Sequence, residues 1–154
     1  MSEQCVFCEI ACGIRRASVV WQDELTIAFM DLRQFHLGHT LVIPRQHFRD
    51  VRELEDPVGA ALMASVKQVA IAVAAAFPNQ GLSLWHSIGE AADQEIPHLH
   101  MHVHPRLLGD QLLRIYPRSA PEPSQALLDG YAAALRAAFQ LTPAQRVGFR
   151  TNSW

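Results

Sequence analysis

Apolar positions along the chain fall into two rhythms. Ser18 to Asp23 and Leu25 to Asp31 are short clusters rich in β-branched and aromatic residues, with Gln22-Asp23-Glu24 between them. They predict two strands joined by a turn. Gly38 to Pro44 predicts a third strand, ended by a proline that cannot continue a ladder. The rhythm then changes. Val58, Leu62, Val66, Val69, Val73 and Phe77 recur at steps of three and four, so they share one face of a helix. Asp56 is placed to cap that helix, Pro57 to open it, and Pro78-Asn79-Gln80-Gly81 to end it. Leu82 to Ile88 predicts a fourth strand, Gly89 to Pro97 a loop, and His98 to His104 a fifth strand. After the Pro-rich connector Arg118 to Pro123, Ser124 can cap a second helix running to about Phe139; the last fifteen residues carry no strong signal. Strands in close succession with one long inserted helix predict an α+β domain built on an antiparallel sheet.

The bulk numbers narrow this further. At 154 residues and 49% hydrophobic, the chain suits one domain with a real core. A formal net charge of -2 and no block of basic residues argue against duplex nucleic acid as a partner. No uninterrupted apolar run reaches membrane-spanning length, and the first twenty residues lack a signal-peptide layout, so a cytoplasmic protein with no membrane partner is expected. The three cysteines lie within residues 5–12. Their number and spacing suit free thiols or a metal better than a disulfide framework.

The chemistry concentrates in His98-Leu-His-Met-His-Val-His104, where histidine takes every second position four times. On a strand, alternate side chains share a face, which sets four imidazoles on one side and Leu99, Met101 and Val103 on the other. A single metal does not explain the row. Neighbouring members are separated by about 6.6 Å along a strand and members four residues apart by about 13 Å, whereas a metal–nitrogen bond is about 2 Å. An extended anion such as a polyphosphate suits a row better. Imidazoles, with a reference pKa near 6.5, can act on it as nucleophile, proton donor and hydrogen-bond donor.

The stretch Gln94-Glu-Ile-Pro-His98-Leu-His100-Met-His102-Val-His104-Pro-Arg106 resembles the signature of the histidine-triad nucleotide hydrolase and transferase superfamily. Ala28-Phe-Met-Asp31 and Gly38-His-Thr-Leu-Val-Ile-Pro-Arg-Gln-His47 resemble its upstream half. The likeness covers about residues 5–112 and implies a histidine-triad domain over 1–112, with 113–154 as a connector and helix packing on it. It also implies a five-stranded antiparallel sheet with one long helix, paired into a homodimer. By the same resemblance His100 is the nucleophile that attacks an α-phosphorus to form a nucleotidyl-imidazole, split later by water. His98 and His102 flank it, His98 fixing its tautomer and His102 contacting phosphate, while His39 is a fourth active-site histidine. Asp31 receives the ribose hydroxyls, a role a carboxylate can fill, and Gln94 and Ser87 serve the phosphates.

Three positions depart from the family. Ser87 stands where an amide is usual, Asp93 where glycine is common, and His104 where an apolar residue is usual. Asp93 is expected to face solvent and His104 has no assigned catalytic role. Cys5-Val-Phe-Cys8 has the gap found in zinc sites. Bacterial relatives with this pair imply a structural zinc on Cys5, Cys8, His47 and His98. The resulting reading is an enzyme acting on a nucleoside polyphosphate, dinucleoside polyphosphate, nucleoside phosphoramidate or acyl adenylate, with Pro105 to Asp110 leaning toward the dinucleoside branch. The alternatives are a phosphorolytic nucleotidyltransferase and a nucleotide-binding regulatory module with little turnover.

Overall fold

A computed structural model describes residues 5–112 and 120–139. Reading of the extreme N-terminus, of the start of the connector at Arg118 and of the last fifteen residues lies outside them. The chain divides into two compact units, Met1–Leu112 and Leu113–Trp154, taken here one at a time.

The first unit holds α1 (Val6–Ala11), β1 (Val19–Gln22), β2 (Thr26–Met30), β3 (Thr40–Pro44), α2 (Asp56–Ala76), β4 (Gly81–Trp85) and β5 (Met101–Arg106). The strands form one antiparallel sheet in the order β1-β2-β3-β5-β4. Each expected strand is present with shifted ends: β1 to β3 are shortened, β4 starts one residue earlier and stops at Trp85, and β5 runs on to Arg106. The fifth differs most, starting at Met101 instead of His98. The reason lies in the backbone: the His98 amide bonds to the Ile96 carbonyl and the Leu99 amide to the Phe48 carbonyl at 2.6 Å. Those bonds tie residues 98–99 to a loop before the ladder with β3 begins at Met101.

Strand alternation gives the sheet two apolar faces. Ala28, Val42, Leu99 and Val103 meet the α2 stripe of Val58, Leu62, Val66, Val69 and Val73. Ile27, Phe29, Leu41 and Ile43 meet Cys5, Phe7 and Ile10 from the N-terminal segment and α1. The sequence reading missed α1, a six-residue helix too short to show a period. By length and composition α2 could cross a bilayer, but its apolar stripe packs on the sheet. Its cap is Glu55, not Asp56, because the Gly59 amide reaches back to the Glu55 carbonyl. Pro57 then falls within the first turn, where no N–H is needed.

The second unit contributes α3 (Gln125–Phe139), which starts at the expected residue: the Leu127 amide lies 3.4 Å from Ser124 Oγ. No side chain of α3 is buried.

Gly38 leads into β3 one residue before His39, with φ of +105°. A side chain there would be strained and its Cβ would lie 2.5 Å from Cδ2 of Phe77, the residue that ends α2. Gly38→Ala is therefore expected to destabilise the fold by about 2–5 kcal/mol, combining left-handed strain with overpacking. Urea unfolding at an unchanged m-value checks this; a loss under 1 kcal/mol would show that this corner is not tightly set.

Candidate active site

The triad segment runs along the sheet face that carries α1. His100 and His102 rings lie 4.9 Å apart, His102 and His39 5.1 Å, and His39 and His104 4.5 Å. His39 comes from β3's approach and the others from β5 and its lead-in, so the sheet brings together His39 and His102, 63 positions apart in sequence. Trp85 of β4 stacks flat on His102 with centroids at 4.3 Å and planes 3° apart, a consequence of the Trp85–His102 register.

Backbone carbonyls assign the protons. A carbonyl only accepts, so a ring nitrogen bonded to one must carry hydrogen. His100 Nδ1 donates to the His98 carbonyl at 2.7 Å, leaving Nε2 with its lone pair. His39 Nδ1 donates to the Arg33 carbonyl at 2.9 Å, and its Nε2 lies 2.9 Å from His102 Nδ1. His98 Nε2 donates to the Pro44 carbonyl at 2.9 Å. Burial, the largest influence on all of them, lowers the pKa of His86, His100 and His104, pushes His98 down to about 4 and His102 down to about 3. These rings are neutral at physiological pH because the cation would lose its hydration.

A cavity of about 480 Å³ opens beside the row, lined by Phe7, Ile10, Phe29, Asp31, Leu41 and Ile96 among others. Phe7 links it to the row, with its ring 5.3 Å from that of His100. Leu41 pairs with His102 across β3 and β5. Asp31 sits where the cavity meets the imidazoles: Oδ1 accepts the Arg33 amide at 2.7 Å and Oδ2 lies 3.7 Å from His39 Nδ1. Apolar side chains line much of the cavity, Arg15, Arg16, Arg33 and Glu95 line it too, and Asp31 offers an acceptor, a mix that suits a flat ring attached to a polar sugar.

His98 acts through two groups. Its backbone carbonyl, not its ring, orients His100. The ring nitrogen Nδ1 faces Cys5 Sγ at 3.4 Å and Cys8 Sγ at 3.5 Å, and His47 Nδ1 lies 3.2 Å from Cys8 Sγ. One ligand atom from each of the four falls within 4.8 Å of the others. Tetrahedral zinc, with bonds of about 2.3 Å to sulfur and 2.0–2.1 Å to nitrogen, sets sulfur and nitrogen about 3.5 Å apart. The donor set therefore fits zinc. Burial and the neighbouring Cys5 push the Cys8 thiol up to about 11, so a thiolate pair here calls for a cation. Cys12 is exposed and stands apart from the cluster.

Gln94 is also placed differently from expectation. Its Oε1 accepts the Gly89 amide and its Nε2 donates to the Arg49 carbonyl, both at 2.8 Å. The amide braces its own loop instead of presenting a donor. Ser87 is half-buried in the same loop, beyond the end of β4, and Asp93 is exposed, at a positive φ of 61°. Four participating residues, His86, Trp85, Arg33 and Glu95, escaped the sequence reading. His86 donates through Nδ1 to the His100 carbonyl at 3.1 Å. Trp85 covers His102. Arg33 and Glu95 form a two-pronged ion pair between two rim loops of the cavity. The signal for Trp85 was its parity with Ser83 on β4; His86 and the ion pair have no local signature.

Comparison with known proteins matches this geometry. The HIT domain family matches residues 14–107. Protein hit of Bacillus subtilis is 38% identical over 105 residues, spanning 68% of this chain and 72% of that relative. The crystal structure of a HIT-family member from B. subtilis superposes with a TM-score of 0.82 at 31% identity, covering 91% of this chain and 99% of that one. A zinc-bound histidine-triad family protein from Mycobacterium smegmatis superposes with a TM-score of 0.67 at 33% identity, covering 90% and 99%. The chain belongs to the HIT family, whose members are in general nucleotide-binding hydrolases and transferases.

Proposed function

We propose that the protein cleaves the bond between the α-phosphate of a nucleotide and its leaving group, with His100 as nucleophile. The observation that carries this is the His100–His98 hydrogen bond. It holds the proton on Nδ1 and leaves the Nε2 lone pair free on a ring kept neutral by burial. In the first step Nε2 bonds to phosphorus while the bond to the leaving oxygen or nitrogen breaks, a leaving nitrogen taking up a proton from solvent. In the second, a water oxygen bonds to phosphorus, the Nε2–phosphorus bond breaks, and the water's proton passes to solvent. One difficult displacement becomes two easier ones. His39 and His102 contact the phosphate oxygens, Asp31 the ribose hydroxyls, and the apolar cavity walls the base. The substrate class is a dinucleoside polyphosphate, nucleoside polyphosphate or phosphoramidate. Phosphate in place of water would give the phosphorolytic variant. The commitment of Gln94 to its own loop favours a second reading, a nucleotide-binding module with little turnover.

Structural zinc on Cys5, Cys8, His47 and His98 would hold the N-terminal segment against β3 and lock the His98 backbone that orients His100. Zinc bound there supplies a closed four-ligand clip and no chemistry to the reaction. Edge strand β4 offers an open ladder, and the homodimer implied by the family pairs two such edges.

Three outcomes test this reading. His100→Ala lowers turnover of a dinucleoside polyphosphate by at least about 10³-fold while nucleotide binding survives, and acid quench of the wild type during turnover traps a nucleotidyl-protein. A trap-negative wild type that still turns over would remove His100 as nucleophile, and one that only binds would favour the module. Burial disfavours the charged ring, so His100 protonates below the reference value near 6.5. The acidic limb of kcat/KM, which reports the free enzyme, accordingly falls below pH 6.5; a limb at or above that value contradicts a buried neutral nucleophile. Native mass spectrometry should show two 17.2 kDa chains with one zinc each, and a metal-free monomer would sink both assignments.

A further inference from the structure

We infer that Asp31, His39 and His102 form a second metal site, an inhibitory one selective for divalent ions that prefer imidazole, such as nickel, cobalt or zinc. One ligand atom from each of the three lies within 4.8 Å of the others, and the site shares no residue with the cysteine cluster. His39 Nε2 and His102 Nδ1 are 2.9 Å apart. With metal–nitrogen bonds of about 2.0–2.1 Å, that spacing gives a nitrogen–metal–nitrogen angle near 90°, the cis angle of octahedral or square-planar coordination. Both rings can stay neutral in the act: the proton shared between them moves to His102 Nε2, freeing Nδ1.

The surroundings are those of a metal ligand set. A ligating histidine is usually oriented by donating its other ring N–H to a carbonyl or carboxylate, and His39 Nδ1 does so to the Arg33 carbonyl. Trp85, stacked on His102, fixes that ring plane. Asp31 has Oδ1 tied to the Arg33 amide, which leaves Oδ2, 3.7 Å from the His39 ring at Nδ1, as the ligand oxygen. Two nitrogens and one carboxylate also set the selectivity. Magnesium and calcium take oxygen sets, whereas imidazole suits first-row transition ions and zinc. Three protein ligands leave open positions on the ion.

The metal site stands on this geometry alone. Its inhibitory character rests on the proposed function, in which these same three residues hold ribose and phosphate. An ion and a nucleotide then exclude one another, so the enzyme would be inhibited at raised transition-metal levels.

The test uses the zinc-loaded protein. Cobalt is titrated in, with calorimetry for stoichiometry and proton NMR for hyperfine-shifted imidazole N–H signals. One further equivalent per chain is expected, with shifted signals from His39 and His102 and no thiolate charge-transfer band, and magnesium should not compete. Asp31→Asn and His39→Gln, checked for retained zinc and circular dichroism, should each weaken the second equivalent at least tenfold. Absence of that equivalent, or a second equivalent whose shifted signals come from other histidines, overturns the proposal; the wild-type NMR decides this even if a variant fails to fold. Adenosine monophosphate should displace the cobalt. Cobalt held at His39 and His102 but indifferent to the nucleotide would uphold the metal site, overturn its inhibitory role and count against the nucleotide pocket.

Discussion

The structure depends on a single constraint: an imidazole buried in a protein stays neutral, and a neutral imidazole has only one proton to place. Here the placement is made by main-chain carbonyls. His98, His100, His86 and His104 each give one N–H to a backbone oxygen. Each is left with a bare nitrogen whose direction is set by the fold and not by side-chain chance. At His100 the bare nitrogen is the proposed nucleophile, and at His98 it faces the Cys5 and Cys8 thiols. At His86 and His104 it is buried without a partner, a cost that a protein tolerates where neighbouring chemistry holds the ring in place.

The carbonyls can do this because the sheet ends where it does. His98 and His100 precede β5, so the His98 carbonyl is available to the His100 ring, and the Leu99 amide reaches the Phe48 loop. Leu99 itself is buried against α2. The lead-in is therefore held from three sides: by the α2 core, by the loop, and by the thiol-rich cluster under α1. His102 and His104, one and three residues into β5, take regular strand directions instead and face Trp85, His39 and one another along the sheet.

Much of this was legible in the chain. Parity alone separates His98, His100, His102 and His104 from Leu99, Met101 and Val103, and the step of three and four marks the α2 stripe. Cys5, Cys8, His47 and His98 could be assembled only through resemblance, because contacts spanning 39 to 93 residues leave no local trace. The start of β5 was not legible either. Period two persists through residues 98–100 although the ladder does not, since extended backbone alternates its side chains whether or not a neighbouring strand is bonded to it. Gln94 shows the converse limit. Its position in the family pattern is a matter of sequence, but its partners are set by the Gly89 turn and the Arg49 loop.

His98 joins the two halves of the site. Its ring and its carbonyl belong to one residue whose backbone is pinned by the Ile96 and Phe48 bonds. The ring's contact with the cysteines and the carbonyl's hold on the His100 proton thus meet in one residue. A change of tautomer at His100 would put hydrogen on Nε2 and remove the nucleophile without moving the ring. In the proposed reaction the cysteine cluster and the reacting nitrogen are thus joined through His98, with the Phe7 ring packed against both imidazoles.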